Sequence, residues 1–529
     1  MRLRLLWFFI VVLLLHTLQA QQTLPPYHWA NPYIEYLRVR GYLSTVDRSQ
    51  RPYDRLQIAR ALLKVDSLNQ ADRSVYKVLY TEFKPEINYL ASLKDERWSR
   101  LLKNVQRFLT GERLSESDKI PIDGGVFVLG QWDHSTNYLN YQLHPYLGLR
   151  WNDHFYVYHQ FKIFNHAGPD YIGKKFSGAY AYSEQAYLTY SNDWLQAKIG
   201  RDWLQIGSGH KGQLLFSDNS QPFDQYKFDL SVYNFRFSFW GIRLNRRTIK
   251  DASLRRYANN ANRYINAHRL SYNWKNRYRV GVSEVVVYGG PNTLWEAAYL
   301  NPLMFYYAYN VNTRGLAANL LYNVDWDLLF PDMEVYGEFL LDDFQIEKKV
   351  PSDLEPNELG LQAGLKWADP LGFKETSLLA EYTQIRNRTY NAPINDWEKY
   401  LHRNRVIGYY LGNNLEDGYL EITRWFGARL RASLFTEYLL QGEGSVAGPF
   451  NTDYNNYTVQ EGYNEPFPYG IVQRELNLGL YLFYRPGRFI NFEGRLSHTR
   501  FCNYEHQRGL DHQEWRGMIG VWFEIGKKE

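Results

Sequence analysis

Six side chains within one short stretch could act on a ligand together: Arg201, Asp202, Trp203, Lys211, Asp218 and Asn219. They lie on GRDWLQIGSGHKGQLLFSDNSQPFD, Gly200–Asp224. A carboxylate accepts hydrogen bonds, a guanidinium donates them in pairs, and an indole offers a flat apolar face. That set suits a ligand rich in hydroxyls with apolar C–H faces, as a sugar is. Trp397, Tyr454 and Tyr457 repeat the theme farther along. Their neighbours Tyr390, Tyr400, Tyr463 and Tyr469 are interleaved with Asn and Asp. A basic stretch, Arg246, Arg247, Lys250, Arg255, Arg256 and Arg263, would draw acidic partners if it formed an outer rim. The structural alternative is a folded-in loop held by an Arg–Asp pair, with the aromatics serving as membrane-interface residues. Gly207, Gly209 and Gly212 mark the stretch as a shaped loop in either case.

Catalysis finds no comparable support. Gly207-Ser208-Gly209 is not a Gly-x-Ser-x-Gly elbow, and the loop lacks the Ser/Thr that follows the lysine of a phosphate loop. Asp325, Asp327 and Asp332 miss calcium-loop spacing, and His498, His506 and His512 miss zinc spacing. The single cysteine, Cys502, makes neither an internal disulfide nor a metal cluster. No enzyme, cofactor or metal site is expected.

The elements that must position these residues are legible in composition and period. Of 529 residues, 45 are Tyr, 16 Trp and 29 Phe, yet mean hydropathy is −0.51. Aromatic girdles outside and a polar lumen inside would produce that combination. The 61 basic and 56 acidic residues leave a net charge of +5, too balanced to argue for nucleic acid. Arg2 and Arg4 precede the apolar run Leu5–Leu15, and Leu18-Gln19-Ala20 closes it. Residues 1–20 are therefore expected to be a signal peptide. No later run is long enough for a membrane helix.

Residues 21–118 carry helical spacing. Gly41 is a stop, Pro52-Tyr53-Asp54 a start, and Asp72–Glu82 and Trp98–Leu109 further helices. From 119 to 529 the period becomes two. Ile490, Phe492, Gly494 and Leu496 oppose Asn491, Glu493, Arg495 and Ser497; Leu430, Ala432 and Leu434 oppose Arg429, Arg431 and Ser433. Tight polar turns such as Ser191-Asn192-Asp193 and Gly427-Ala428 alternate with long connections near 202–225, 343–357, 387–416 and 441–471. Alternating short and long connections describe an outer-membrane barrel, here of about 18 antiparallel strands. The helices are then expected to plug its periplasmic mouth.

With that architecture in hand, three ordered segments resemble the capsule assembly protein Wzi family. They are Gly200–Asp224, Arg263–Tyr307 with RYINAHRLSYNW and YLNPLMFYY, and His402–Ile422, HRNRVIGYYLGNNLEDGYLEI. Where relatives carry Trp-Gly-Pro-Gly, this chain has Ile206-Gly207-Ser208-Gly209. The resemblance implies a non-enzymatic outer-membrane barrel that holds surface or capsular polysaccharide. Outer-membrane lipid, lipopolysaccharide and the barrel-assembly machinery are its implied partners. A porin or substrate channel of the same architecture is the alternative.

Overall fold

A computed structural model describes residues 22–91 and 122–527, apart from 135–136, 151–153, 169–170, 172, 249–259, 314–317 and 346–348. The proposed signal peptide, the helix expected at Trp98–Leu109, and Lys250, Arg255 and Arg256 lie outside the described residues. Eighteen antiparallel strands form the wall. In chain order they are β1 Ile122–Asp133, β2 Tyr138–Arg150, β3 Phe155–Phe164, β4 Tyr180–Ser191, β5 Leu195–Asp202 and β6 Phe223–Val232. Then come β7 Phe235–Arg243, β8 Asn260–Trp274, β9 Tyr278–Pro291, β10 Ala318–Phe330, β11 Met333–Asp343 and β12 Glu358–Ala368. The set ends with β13 Thr376–Ile385, β14 Leu415–Phe426, β15 Leu430–Gln441, β16 Gln473–Tyr484, β17 Ile490–Cys502 and β18 His512–Lys527. Each pairs with its neighbour in sequence, and β18 pairs back onto β1 from Gly124↔Lys527 to Asp133↔Met518. The ring is closed, so every strand has a partner on both sides, the condition for crossing lipid.

Alternation decides which face meets lipid. On β15 and β17, Leu434 (64 % exposed) and Leu496 (51 %) point out, while Arg431 and Arg495 line the lumen. Ile199, Val282 and Ile519 continue the apolar outer band. Exposed Trp194, Tyr233, Phe235, Trp274, Phe426 and Phe489 gather at the short-turn end, as an interfacial girdle does.

The N-terminal segment sits inside that end. It carries α1 Asn31–Val39, α2 Arg55–Leu63 and α3 Arg73–Glu82. Past α1, Gly41 at φ +83° turns the chain where a side chain would be strained. Asp54 caps α2 by accepting from Leu56 N at 2.7 Å. The apolar faces of these helices pack with Trp425, Ala428 and Phe483 of the wall. Tyr33 Oη donates to Ala428 O at 2.9 Å, and Arg40 clasps Asp369 at 2.7 and 2.9 Å, both on short turns. A second apolar core fills the long-loop end of the lumen. There Leu214, Leu215 and Phe216 meet Trp240, Ile265 and Val285 of the wall and Tyr390, Tyr400 and Ile407 of the 386–414 connection.

Candidate functional site

The stretch 203–222 dips into the lumen, where its Leu204, Ile206, Leu214, Leu215 and Phe216 form part of the second apolar core. Its glycines are sites of close approach. A Cβ on Gly209 would lie 1.9 Å from Gly212 O, and one on Gly207, at φ +133°, would lie 2.5 Å from the Glu338 carboxylate. Bare backbone N–H groups therefore reach the acids on the inner wall. Glu338 accepts from Gly209 N at 2.7 Å and Leu214 N at 3.0 Å. Glu381 accepts from His210 N at 2.7 Å and from Tyr336 Oη at 2.6 Å.

Facing cations pair with Asp327 and Glu334 of the same wall. Arg38 of α1 is fully buried and pairs with Glu35, Asp327 and Glu334. His210 Nε2 lies 2.9 Å from Glu334, and Arg279 lies 2.9 Å from Asp327. Arg48 donates to Gly209 O at 2.7 Å, which joins the helical segment to the dipping one. Glu35, His210 and Glu334 bring three ligand-type atoms close together. Arg38 and Arg48 already supply positive charge there, so those carboxylates have no call for a metal ion.

The six residues picked out at the start are dispersed by this arrangement. Arg201 and Asp202 point to opposite faces of β5. Arg201 lies on the outer face and pairs with Asp224 across the β5–β6 ladder, 2.7 Å on both arms. The anticipated Arg–Asp pair exists with that partner, outside the loop. Asp202 is fully buried and accepts from Thr23 Oγ1 at 3.0 Å, Gln185 Nε2 at 2.7 Å and Lys198. It straps the N-terminal segment to the wall. Trp203 meets Tyr27 edge-on at 6.4 Å. Lys211 reaches across the lumen to Asp417 at 2.9 Å and to Glu437. Asn219 donates to Val406 O at 3.0 Å, and Asp218 is exposed in a small pocket beside Arg51 and Gln205.

Several aromatic and basic side chains expected on the outer rim are instead interior. Tyr390 and Tyr400 are fully buried and donate to Leu214 O at 2.5 Å and Leu215 O at 2.8 Å. Arg263 is also fully buried. Its guanidinium donates to the carbonyls of Trp397, Lys399 and Leu401 and so shapes that loop from beneath. The reason is common to all three: the 386–414 connection folds inward over the dipping segment.

Trp397, Tyr454 and Tyr457 do lie at the long-loop end. Tyr457 is 43 % exposed and 5.1 Å from Tyr463. Tyr454 is buried against Arg388, 5.3 Å from its guanidinium, and Trp397 is half-buried beside Gly290. Between these loops opens a cavity of about 600 Å³ that sequence reading missed. Tyr307, Tyr322, Phe344 and Phe450 supply its aromatic lining, and Asp342, Asp343, Glu355, Glu358 and Glu398 its carboxylates. Burial and nearby Asp343 push Glu355, a loop residue, up to about 7. The signal was present in Asp342-Asp343 and Glu355…Glu358, which flank the long connection at 343–357.

The model of the capsule assembly protein Wzi family matches residues 130–514. Among solved structures, this chain is similar to Wzi of Escherichia coli, described as an outer-membrane protein involved in group 1 capsule assembly and a carbohydrate-binding β-barrel. The likeness has a TM-score of 0.59 at 13 % identity and covers 96 % of this chain and all of that one. OccD3 of Pseudomonas aeruginosa (TM-score 0.44, 9 % identity, 77 % of this chain and 92 % of that one) is a weaker likeness. So is OccAB4 of Acinetobacter baumannii (0.43, 9 %, 78 % and 100 %). No curated protein sequence matches significantly.

Proposed function

The chain belongs to the capsule assembly protein Wzi family, and from that premise we propose that it is a non-enzymatic outer-membrane barrel that holds surface polysaccharide through its long loops. The observation that carries this reading is the long-loop cavity. Its carboxylates accept sugar hydroxyls, and its aromatic rings cover sugar C–H faces. Trp397 and Tyr457 extend the same surface across neighbouring loops, with Tyr454 buried against Arg388. Asp202, Lys211 and Asn219 act by holding the N-terminal and dipping segments in place within the lumen. Trp203 packs on Tyr27, Arg201 ties two wall strands from outside, and Asp218 stays open to a ligand. Lipid meets the apolar outer band, lipopolysaccharide head groups meet its outer edge, and the barrel-assembly machinery inserts the chain. A wide channel is disfavoured by the apolar core and charge layer that fill much of the lumen.

The test is glycan retention by cells and glycan binding by the purified protein. Tyr307→Ala combined with Glu358→Gln is expected to lower both at least tenfold, while the barrel still shows its folded mobility on a gel. Unchanged binding in that variant removes the cavity from the reading. Large stable currents from the unaltered protein in a planar bilayer would favour the channel instead.

A further inference from the structure

A second cavity, of about 700 Å³, lies within the lumen between α1 and the wall strands β12–β18, bordered by Tyr410 and Leu411. Its charges are matched unevenly. Every carboxylate lining it is occupied. Glu421 accepts from Tyr419 Oη and Thr423 Oγ1, both at 2.7 Å. Glu437 holds Lys211 and accepts from Tyr410 Oη at 3.0 Å; Glu475 accepts from Gln473 at 2.6 Å; Glu35 holds Arg38 and Arg48.

Four of the lining cations have no such contact. Among the described residues no carboxylate oxygen lies within 4 Å of Arg51, Lys366, Arg431 or Arg495, although Glu334 stands opposite Lys366 in the sheet and Glu493 lies near Arg431. Arg51 Nε and Nη2 and Arg431 Nε are buried without a hydrogen-bond partner. A buried donor left unmade is costly, so a chamber built this way favours an incoming acceptor.

The aromatic lining narrows the kind of acceptor. Tyr481 pairs across the sheet with Ser433 on one side and Arg495 on the other, and Arg431 stands opposite Phe483. The two guanidiniums therefore flank one tyrosine. Arg431 lies 5.4 Å from the Tyr481 ring and 5.5 Å from Trp425, and Arg495 lies 4.8 Å from Phe435. A planar carboxylate matches a guanidinium fork in two parallel bonds, and the rings supply apolar faces on either side.

We propose that this lumen chamber binds a carboxylate-bearing sugar, a uronic-acid unit, with Arg431 and Arg495 on its carboxylate and Tyr481 and Phe435 against its ring. The site is separate from the long-loop cavity and does not rest on the reading of that cavity. Its volume falls in the range of ordinary small-ligand sites.

Isothermal titration calorimetry on the full mature protein in detergent tests the assignment, with glucuronate, glucose and inorganic phosphate as probes. Saturable glucuronate binding is expected, at least tenfold tighter than either glucose or phosphate and weakened by salt. Arg431→Gln with Arg495→Gln is expected to weaken it at least tenfold. Arg495→Gln alone serves as the second variant should the double substitution fail to fold, and is expected to weaken binding at least threefold. Glucuronate that gives no saturable heat overturns the proposal. So does phosphate binding as tightly as glucuronate, or binding unchanged in a folded variant. Polysaccharide retention at the long loops is expected to survive these substitutions, so failure here and failure there are distinguishable.

Discussion

Arg38→Met should loosen the helical plug without opening the barrel wall. Arg38 is fully buried and bridges α1 to two wall carboxylates, Asp327 and Glu334, themselves at most 1 % exposed. Removing one partner of a buried ion pair costs about 3–5 kcal/mol, because the other charge is left in a dry site. The low end applies here. Asp327 keeps Arg279 at 2.9 Å, and Glu334 keeps His210 at 2.9 Å. A loss of about 3 kcal/mol shifts the ratio of docked to released plug about 100-fold. The apolar contacts with Trp425 and Phe483 remain, so the helices persist while docking weakens. Hydrogen exchange in detergent should show α1 and the segment 40–49 exchanging about 100-fold faster, with β10 and β11 unchanged. Arg38→Met with Glu334→Leu should recover part of the loss, since neither charge is then stranded. If exchange of α1 changes less than threefold in the single variant, the charge layer is not what holds the plug.

Two further outcomes follow from close approach and from burial. Gly209→Ala should destabilise the dipping segment by about 1–3 kcal/mol, the range for overpacking, because its Cβ would meet Gly212 O at 1.9 Å and Gln362 Oε1 at 2.1 Å; a thermal midpoint equal to that of the unaltered protein would contradict this. Glu355 has a folded-state pKa raised from 4.5 to about 7. Its protonated form is therefore favoured in the folded loop, and the stability it contributes is complete below about 4.5 and lost as pH rises through about 7. Protease sensitivity of the 349–358 connection should rise between pH 5 and pH 8, and Glu355→Gln should reduce that dependence.

Strand period and connection length were enough to establish the barrel, its near strand count and which residues face lipid. Side chains alternate strictly along an extended chain, and a lipid-facing wall leaves that alternation unmasked, as Ile490–Ser497 illustrates. The cap at Asp54 and the stop at Gly41 were equally readable, since both are local backbone effects. What fills the lumen was not local. Arg38 meets Asp327 and Glu334 nearly three hundred residues away, and Lys211 meets Asp417 and Glu437 across the bore. Tyr390, Tyr400 and Arg263 share the residue types of a ligand-binding rim, yet they are interior because one connection folds inward. Alternation tells which side of the wall a residue faces; only closure of the ring decides what stands opposite it. Arg431 and Arg495, with no carboxylate oxygen in contact, became visible in the same way, once each carboxylate lining the chamber had been assigned its partner in three dimensions.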